Sequence, residues 1–129
     1  MTKLDPIIAV ANVEASAAWY AQVFGLRNDH GGAHFATLRD ERGEVVICPH
    51  PWEAHGHPTM ADRSIPPGNG LILYFRTAQW EAIVKRVQAL GVKLEETLHT
   101  NPNSHKKEFS FRDPDGYYLT VTEGHDHEG

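Results

Sequence analysis

The sequence predicts an α+β fold made of two βαβββ modules, with helices on one face of mixed or antiparallel sheets. Three observations predict it. A short apolar strand leads into an amphipathic helix twice, at a fixed interval. Each helix is bracketed by a capping residue and a terminal glycine. The chain then closes on a strand–turn–strand segment, Phe109 to Glu123, whose turn can be read residue by residue.

The first module opens with Pro6 to Ala11, a short apolar strand. Asn12 follows as an N-cap, since its side-chain oxygen can accept an orphan N–H of the first helical turn. Val13, Ala17, Tyr20 and Phe24 recur at helical spacing with Ser16 on the same face. Gly25 stands where a helix end favours a left-handed residue, so the spacing predicts a helix over 13–24. A loop at His30-Gly31-Gly32, a strand over Ala33 to Leu38, a polar turn at 39–43 and a partner strand over Glu44 to Cys48 follow. Pro49 to Asn69 has no usable period and is punctuated by Pro49, Pro51, Pro58, Pro66, Pro67, Gly56 and Gly68. It is predicted as a long loop joining the modules, and structureless loops of that length are usually functional or mobile.

The pattern then repeats. Leu71 to Arg76 reads as a strand and Thr77 as an N-cap. Trp80, Ile83, Val84, Val87 and Leu90 form a helical face that Gly91 ends, which predicts a helix over 78–90. Asn12 and Thr77 are 65 residues apart, and Gly25 and Gly91 are 66 apart, the mark of an internal duplication. Val92 to Leu98 is a further strand and His99 to Ser104 a loop. In the closing hairpin, Phe109 and Phe111 alternate with Glu108, Ser110 and Arg112. Asp113-Pro114-Asp115-Gly116 is the turn: Pro114 presets φ, the Asp113 side chain can bond the backbone ahead, and Gly116 accepts positive φ. The expected organisation is one domain over 1–129, with modules at about 1–60 and 69–124 and a polar, His-bearing tail at 125–129.

Composition excludes several classes. Hydrophobic residues make up 40% and charged residues 22% of 129, ordinary for a globular domain with a core of its own. The net charge of −5 and the lack of any dense Lys/Arg run oppose nucleic-acid binding. The single Cys48 rules out an intrachain disulfide and a cysteine-based metal cluster. No apolar run approaches the roughly 20 residues that cross a bilayer, and the N-terminal stretch lacks a secretory apolar core, so a cytoplasmic protein without membrane partners is expected.

Three segments taken together, PIIAVANVEASAAWYAQVFGL, GNGLILYFRTAQWEAIVKRVQALGV and FRDPDGYYLTVTE, resemble the vicinal oxygen chelate superfamily of glyoxalases, bleomycin-resistance proteins, fosfomycin-resistance enzymes and extradiol dioxygenases. The resemblance implies sheets curled around a cup, with helices on the outer face and the ligand in the concavity. It also implies a homodimer in which units of two chains close each cup, with exchange of units possible. On such a sheet, alternation is expected to send Ile72 and Tyr74 under the second helix, and Leu71, Leu73 and Phe75 toward the cup. In the last strand Leu119 and Val121 go to the core and Tyr118 and Thr120 to the cup. In the first, Ile8 and Val10 go to the core.

The resemblance further implies four metal-ligand positions in catalytic relatives, filled there by His, Glu or Gln. In this chain they fall at Asp5, near Ile47 or Cys48, at Leu71 and at Thr120. Only Asp5 suits a hard divalent ion, and neither Leu71 nor Ile47 can bind one. The implied reading is a metal-free, cofactor-free, bleomycin-resistance-like protein that holds a largely apolar or aromatic small molecule. Its expected binding residues are His34, Trp52, Leu71, Leu73, Phe75, Tyr118 and Thr120. One rival is a metal-dependent lyase or dioxygenase with ligands relocated to Asp5, His34, His50 and Glu123. A second is a structural or regulatory module whose cup its own side chains fill. His50, His55 and His57 form a possible ion clip in the long loop, with a flexible polar loop as the plainer reading. No role is expected of His125 and His127, and His105 is expected at an exposed strand start. Trp19 and Trp80 are read as core or interface residues, and Trp52 as a lid or a subunit contact.

Overall fold

A computed structural model of the chain describes residues 1–29, 32–53 and 56–124. His30, Gly31, His55 and the tail histidines therefore lie outside the described residues. The chain divides into two compact units, Met1–Pro67 and Gly68–Gly129. Each holds one helix and one four-stranded mixed sheet.

In the first unit, β1 (Ile7–Val10) leads into α1 (Val13–Phe24), followed by β2 (Arg27–Asn28), β3 (Leu38–Arg39) and β4 (Val45–Pro51). The sheet order is β1-β4-β3-β2, with β1 parallel to β4 and the other pairs antiparallel. The helix has the predicted limits because its signals are local. The Asn12 side chain accepts the Ala15 N–H at 2.9 Å, and Gly25, at φ 70°, donates its N–H to the Ala21 carbonyl. Val13, Ser16, Ala17, Tyr20, Val23 and Phe24 are buried along one stripe of α1. Ile8, Val10, Leu38 and Ile47 are buried as well, so Ile8 and Val10 are core residues as expected.

Two expectations for this unit change. The strand expected over 33–38 is confined to Leu38–Arg39, and β2 was not foreseen. Two-residue strands carry too few side chains to show a period. The second change concerns β4, which runs through Pro49 and Pro51 where a loop was expected. A central strand normally excludes proline because each residue owes its neighbours a donor. Here Cys48 donates its N–H to the Pro6 carbonyl, so the intervening Pro49 and Pro51 nitrogens point away from β1. On that side the β3 ladder ends at Leu38 opposite Ile47, and beyond it the Ala36 N–H still bonds the Pro49 carbonyl at 3.1 Å, so Pro49 costs the sheet one donor at the frayed end of that pairing. The remaining loop contains a 3₁₀ turn at Pro58–Met60.

In the second unit, β5 (Leu73–Thr77), α2 (Trp80–Leu90), β6 (Leu94–Thr100), β7 (Lys107–Arg112) and β8 (Tyr118–Glu123) repeat the plan. The sheet order is β5-β8-β7-β6, again with the first and last strands parallel. Thr77 closes β5 and its hydroxyl accepts the Gln79 N–H at 2.9 Å, so α2 begins two residues later than predicted. Gly91, at φ 67°, ends it. The Asp113 turn works as its residues suggest. The Asp113 carboxylate accepts the Asp115 and Tyr117 N–H groups, each at 2.9 Å, and Gly116 sits at φ 95°.

The face of this sheet that α2 covers follows from ring packing and register. Trp80 of α2 meets Phe109 edge-on at 5.3 Å between centroids, and Phe109 stacks with Phe111 at 5.6 Å. Phe109 lies opposite Val121 and Phe111 opposite Leu119. Those residues lie in turn beside Phe75 and Leu73 of β5. Leu73, Phe75, Phe109, Phe111, Leu119 and Val121 thus share the helix-covered face, where Ile83 and Val87 of α2 are buried.

This corrects the expected facing of β5. Leu73 and Phe75 point to α2, while Tyr74 and Arg76 take the opposite face. The reason is that Leu-Ile-Leu-Tyr-Phe is apolar in both phases of a period of two, so alternation alone cannot choose. Pairing with Leu119 and Val121 chooses, and a shift of one residue inverts every side chain.

Candidate functional site

The helix-free face of the second sheet gathers the polar side chains of four strands. From β5 come Tyr74 and Arg76. From β8 come Tyr118, Thr120 and Thr122, and from β7 Glu108, Ser110 and Arg112. Glu96 and His99 of β6 stand opposite Ser110 and Glu108. Several of these groups are buried although polar: Glu108, Ser110, Thr120 and Thr122. Buried polar groups must be hydrogen-bonded, and these are. Ser110 and Thr120 share a hydroxyl–hydroxyl bond of 2.9 Å. Thr122 donates to the Lys107 carbonyl at 3.2 Å.

Glu108 is the centre of the arrangement. Its carboxylate accepts the Tyr74 hydroxyl at 3.2 Å and the Asn101 amide at 3.1 Å, and the His99 Nε2 stands 3.3 Å from it. Asn101 holds its own hairpin together, donating its amide to Glu108 while its oxygen accepts the Asn103 and Ser104 N–H groups. Glu96 accepts the Tyr118 hydroxyl at 2.9 Å. The Arg112 guanidinium lies 5.4 Å above the Tyr118 ring and is paired with Glu95 at 3.1 Å. Burial raises the Tyr74 phenol above its ordinary pKa, with the nearby Glu108 adding to the effect. For Tyr118 a hydrogen bond with Ser110 works to lower the pKa, but burial and the Glu96 and Glu95 carboxylates outweigh it and the phenol is raised.

Of the residues expected to bind a ligand, Tyr118 and Thr120 lie on this face, two positions apart. Leu73 and Phe75 lie on the other face, under α2. Leu71 precedes β5, with its N–H bonded to the Gly68 carbonyl, and is 47% exposed. His34 is exposed in a bend outside any strand, and Trp52 is half-buried in the turn after β4. Tyr74, Glu96, His99 and Glu108 were missed. The polar phase Glu108-Ser110-Arg112 in the alternation of β7 was the available signal for Glu108.

In the first unit, His50 is 2% exposed and lies on β4 beside Ala9 of β1. Its Nδ1 donates to the Pro51 carbonyl at 2.8 Å, and its ring meets Phe35 and His57 edge-on. The Cys48 thiol is raised in pKa by burial. Glu123 accepts the Lys107 N–H at 2.8 Å, and Asp5 is exposed before β1. Among the described residues no three His, Cys, Asp or Glu side chains are grouped to hold a metal ion. The four positions implied by the resemblance offer a carboxylate, an aliphatic or thiol group, a leucine and a threonine whose hydroxyl is bonded to Ser110. That donor set does not fit a divalent metal. Among the described residues no helix is long and apolar enough to cross a membrane.

Two βαβββ units in tandem, each closing its sheet by a parallel pairing of its first and last strands, define a duplicated α+β protein whose second sheet carries polar side chains on its helix-free face. The chain belongs to the Glyoxalase/Bleomycin resistance protein/Dioxygenase superfamily, whose family model matches residues 3–121. Among solved structures, the fold is similar to that of a glyoxalase/bleomycin resistance protein/dioxygenase family enzyme from Burkholderia phytofirmans PsJN, at 22% identity. The match covers 92% of this chain and 95% of that one, with a TM-score of 0.73. It is also similar to lactoylglutathione lyase from Agrobacterium tumefaciens, at 21% identity over 95% and 93% of the two chains and a TM-score of 0.69. A third similar fold is TioX from Micromonospora sp. ML1, at 18% identity over 97% and 100% and a TM-score of 0.69. No functionally curated protein matches the chain in sequence.

Proposed function

We propose that the protein binds a small organic molecule on the helix-free face of its second sheet, holding the molecule without breaking a bond and without a metal ion. The observation that carries this reading is the company Thr120 keeps. The position at which catalytic relatives are expected to place a ligand is a threonine bonded to Ser110, flanked by the aromatic rings of Tyr74 and Tyr118. Rings and hydroxyls recognise flat molecules with polar substituents, the rings supplying contact area and the hydroxyls fixing orientation. The ligand class is therefore aromatic with hydrogen-bonding groups, more polar than a cup lined by Leu73 and Phe75 would select. A second copy of the chain is proposed as partner, as the family resemblance implies, and the protein is proposed to act in the cytoplasm.

The test is a calorimetric titration with neutral fused-ring amides such as 2-naphthamide, beside elemental analysis of the purified protein. Tyr118→Ala and Thr120→Val should each weaken binding by about 1 kcal/mol or more, the scale of one ring contact or one hydrogen bond. Leu71→Asp should leave binding unchanged. One tightly held metal ion per chain, removed by a chelator together with a turnover activity, would overturn the proposal.

A further inference from the structure

On the same face, one imidazole stands between two carboxylates, and each carboxylate holds a tyrosine. The chain of contacts runs from the Tyr118 hydroxyl to Glu96 at 2.9 Å and from Glu96 to His99 Nε2 at 3.7 Å. It continues from that nitrogen to Glu108 at 3.3 Å and ends at the Tyr74 hydroxyl, 3.2 Å from Glu108. The other ring nitrogen, Nδ1, lies 2.7 Å from the Thr97 carbonyl. A carbonyl only accepts, so Nδ1 carries a hydrogen. In a neutral ring, Nε2 would then turn a lone pair on two carboxylates. Only the imidazolium donates from both nitrogens, to the Thr97 carbonyl and to Glu108, and offers Glu96 at 3.7 Å an opposite charge in place of a lone pair.

We infer that His99 is a proton-operated latch. In its charged form it ties Glu96 to Glu108 and thereby fixes the two tyrosines that flank Thr120, and on losing its proton it releases them. The inference rests on the proposed ligand face for its effect on binding, but the latch itself is a property of the free protein. The Thr97 carbonyl is the largest influence raising the His99 pKa above the ordinary histidine value. Glu108 and Glu96 add to it against the opposing effect of burial. Charged and titratable groups stand around the latch on several elements, among them Lys106, Lys107 and His105 at the start of β7 and in the hairpin before it. Glu96 stands on its own strand and Glu108 on β7. Arg76 lies beside Tyr74 on β5. The Arg112–Glu95 pair lies beside Tyr118.

The latch is tested on the full chain by following the His99 ring and the Tyr74 and Tyr118 rings by NMR from pH 5.5 to 9, with no ligand present. The expected result is a His99 midpoint above 6.5, with both tyrosine signals moving at that same midpoint. In His99→Gln those movements should vanish, which separates His99 from the nearby His105. Tyrosine rings indifferent to the His99 titration, or a midpoint at or below 6.5, would overturn the inference. A second arm measures 2-naphthamide affinity over the same range. This probe does not ionise there, so if only the latched form binds, Kd should rise roughly tenfold per pH unit above the midpoint. Affinity that stays flat while the rings move would overturn the regulatory claim. Movement of the rings without any binding of the probe would support the latch and count against the proposed ligand face alone.

Discussion

The facing of β5 decides which residues can touch a ligand, and two neighbouring substitutions test it. Leu73 is 8% exposed and shares the α2-covered face with Leu119 and Val121, whereas Tyr74 is 44% exposed on the other face. Truncating a buried leucine to alanine removes its transfer free energy and leaves a cavity, about 2–5 kcal/mol in well-packed cores. Leu73 stands near the start of its strand, so about 2–4 kcal/mol is the appropriate range. Tyr74→Ala removes a half-exposed ring and one hydrogen bond to Glu108, itself worth about 0.5–1.5 kcal/mol. With a urea dependence of about 2 kcal/mol per molar, Leu73→Ala should lower the unfolding midpoint by about 1–2 M. Tyr74→Ala should lower it by about 0.5 M. Far-UV circular dichroism in urea reads both. If Tyr74→Ala is the more damaging of the two, the inverted facing is wrong, and Leu73 and Phe75 return to the ligand side.

Three further outcomes follow from local geometry. The Ser16 hydroxyl is buried in α1, 3% of the residue being exposed, and has no hydrogen-bond partner among the described residues. Ser16→Ala should therefore stabilise by about 0.5–2 kcal/mol in the same urea assay, and a loss of 1 kcal/mol would mean that the hydroxyl is satisfied. A Cβ at Gly124 would stand 2.9 Å from the Thr77 carbonyl oxygen, so Gly124→Ala should cost about 1–2 kcal/mol and increase amide exchange at the end of the β5–β8 ladder. Because the folded His99 pKa is raised, its contribution to stability is fully present below about pH 6.5 and is lost as pH rises through the folded value. Thermal melting should accordingly show wild type losing ground to His99→Gln between pH 6 and 9, and parallel curves would contradict the raised pKa.

Both helices could be read from the sequence because their signals are confined to a few neighbouring residues. Asn12 and Gly25 act within one turn of the helix they bracket, and so does Gly91. The Asp113 turn was legible for the same reason, and it fixes the phase of Tyr118 and Thr120. What could not be read depends on pairing between distant segments. The phase of Leu71 to Phe75 is set by β8, more than forty residues on. Glu96 and His99 were hidden by a different device. Residues three apart face opposite sides of a regular strand, but register shifts between Leu94 and Glu96 and again between Glu96 and His99 put both on one face. The prolines of β4 were misleading because the exclusion of proline is strict only inside a full ladder, and at Pro49 the β3 side has thinned to a single bond, from the Ala36 N–H to the Pro49 carbonyl.

The order of strands in each sheet constrains how the chain can be made. In both units the first strand lies beside the last and at an edge, so its one sheet neighbour is the last strand of that unit to be synthesised. As the polypeptide leaves a ribosome, β5 and α2 emerge with apolar sides and nothing to rest on. The β6–β7 and β7–β8 pairings form locally, but β8 must arrive before the long-range pairing with β5 exists. A nascent chain arrested at Asp115 lacks that central strand altogether. It should remain open and adhesive, a target for chaperones, until six more β residues, Tyr118–Glu123, close it at a stroke.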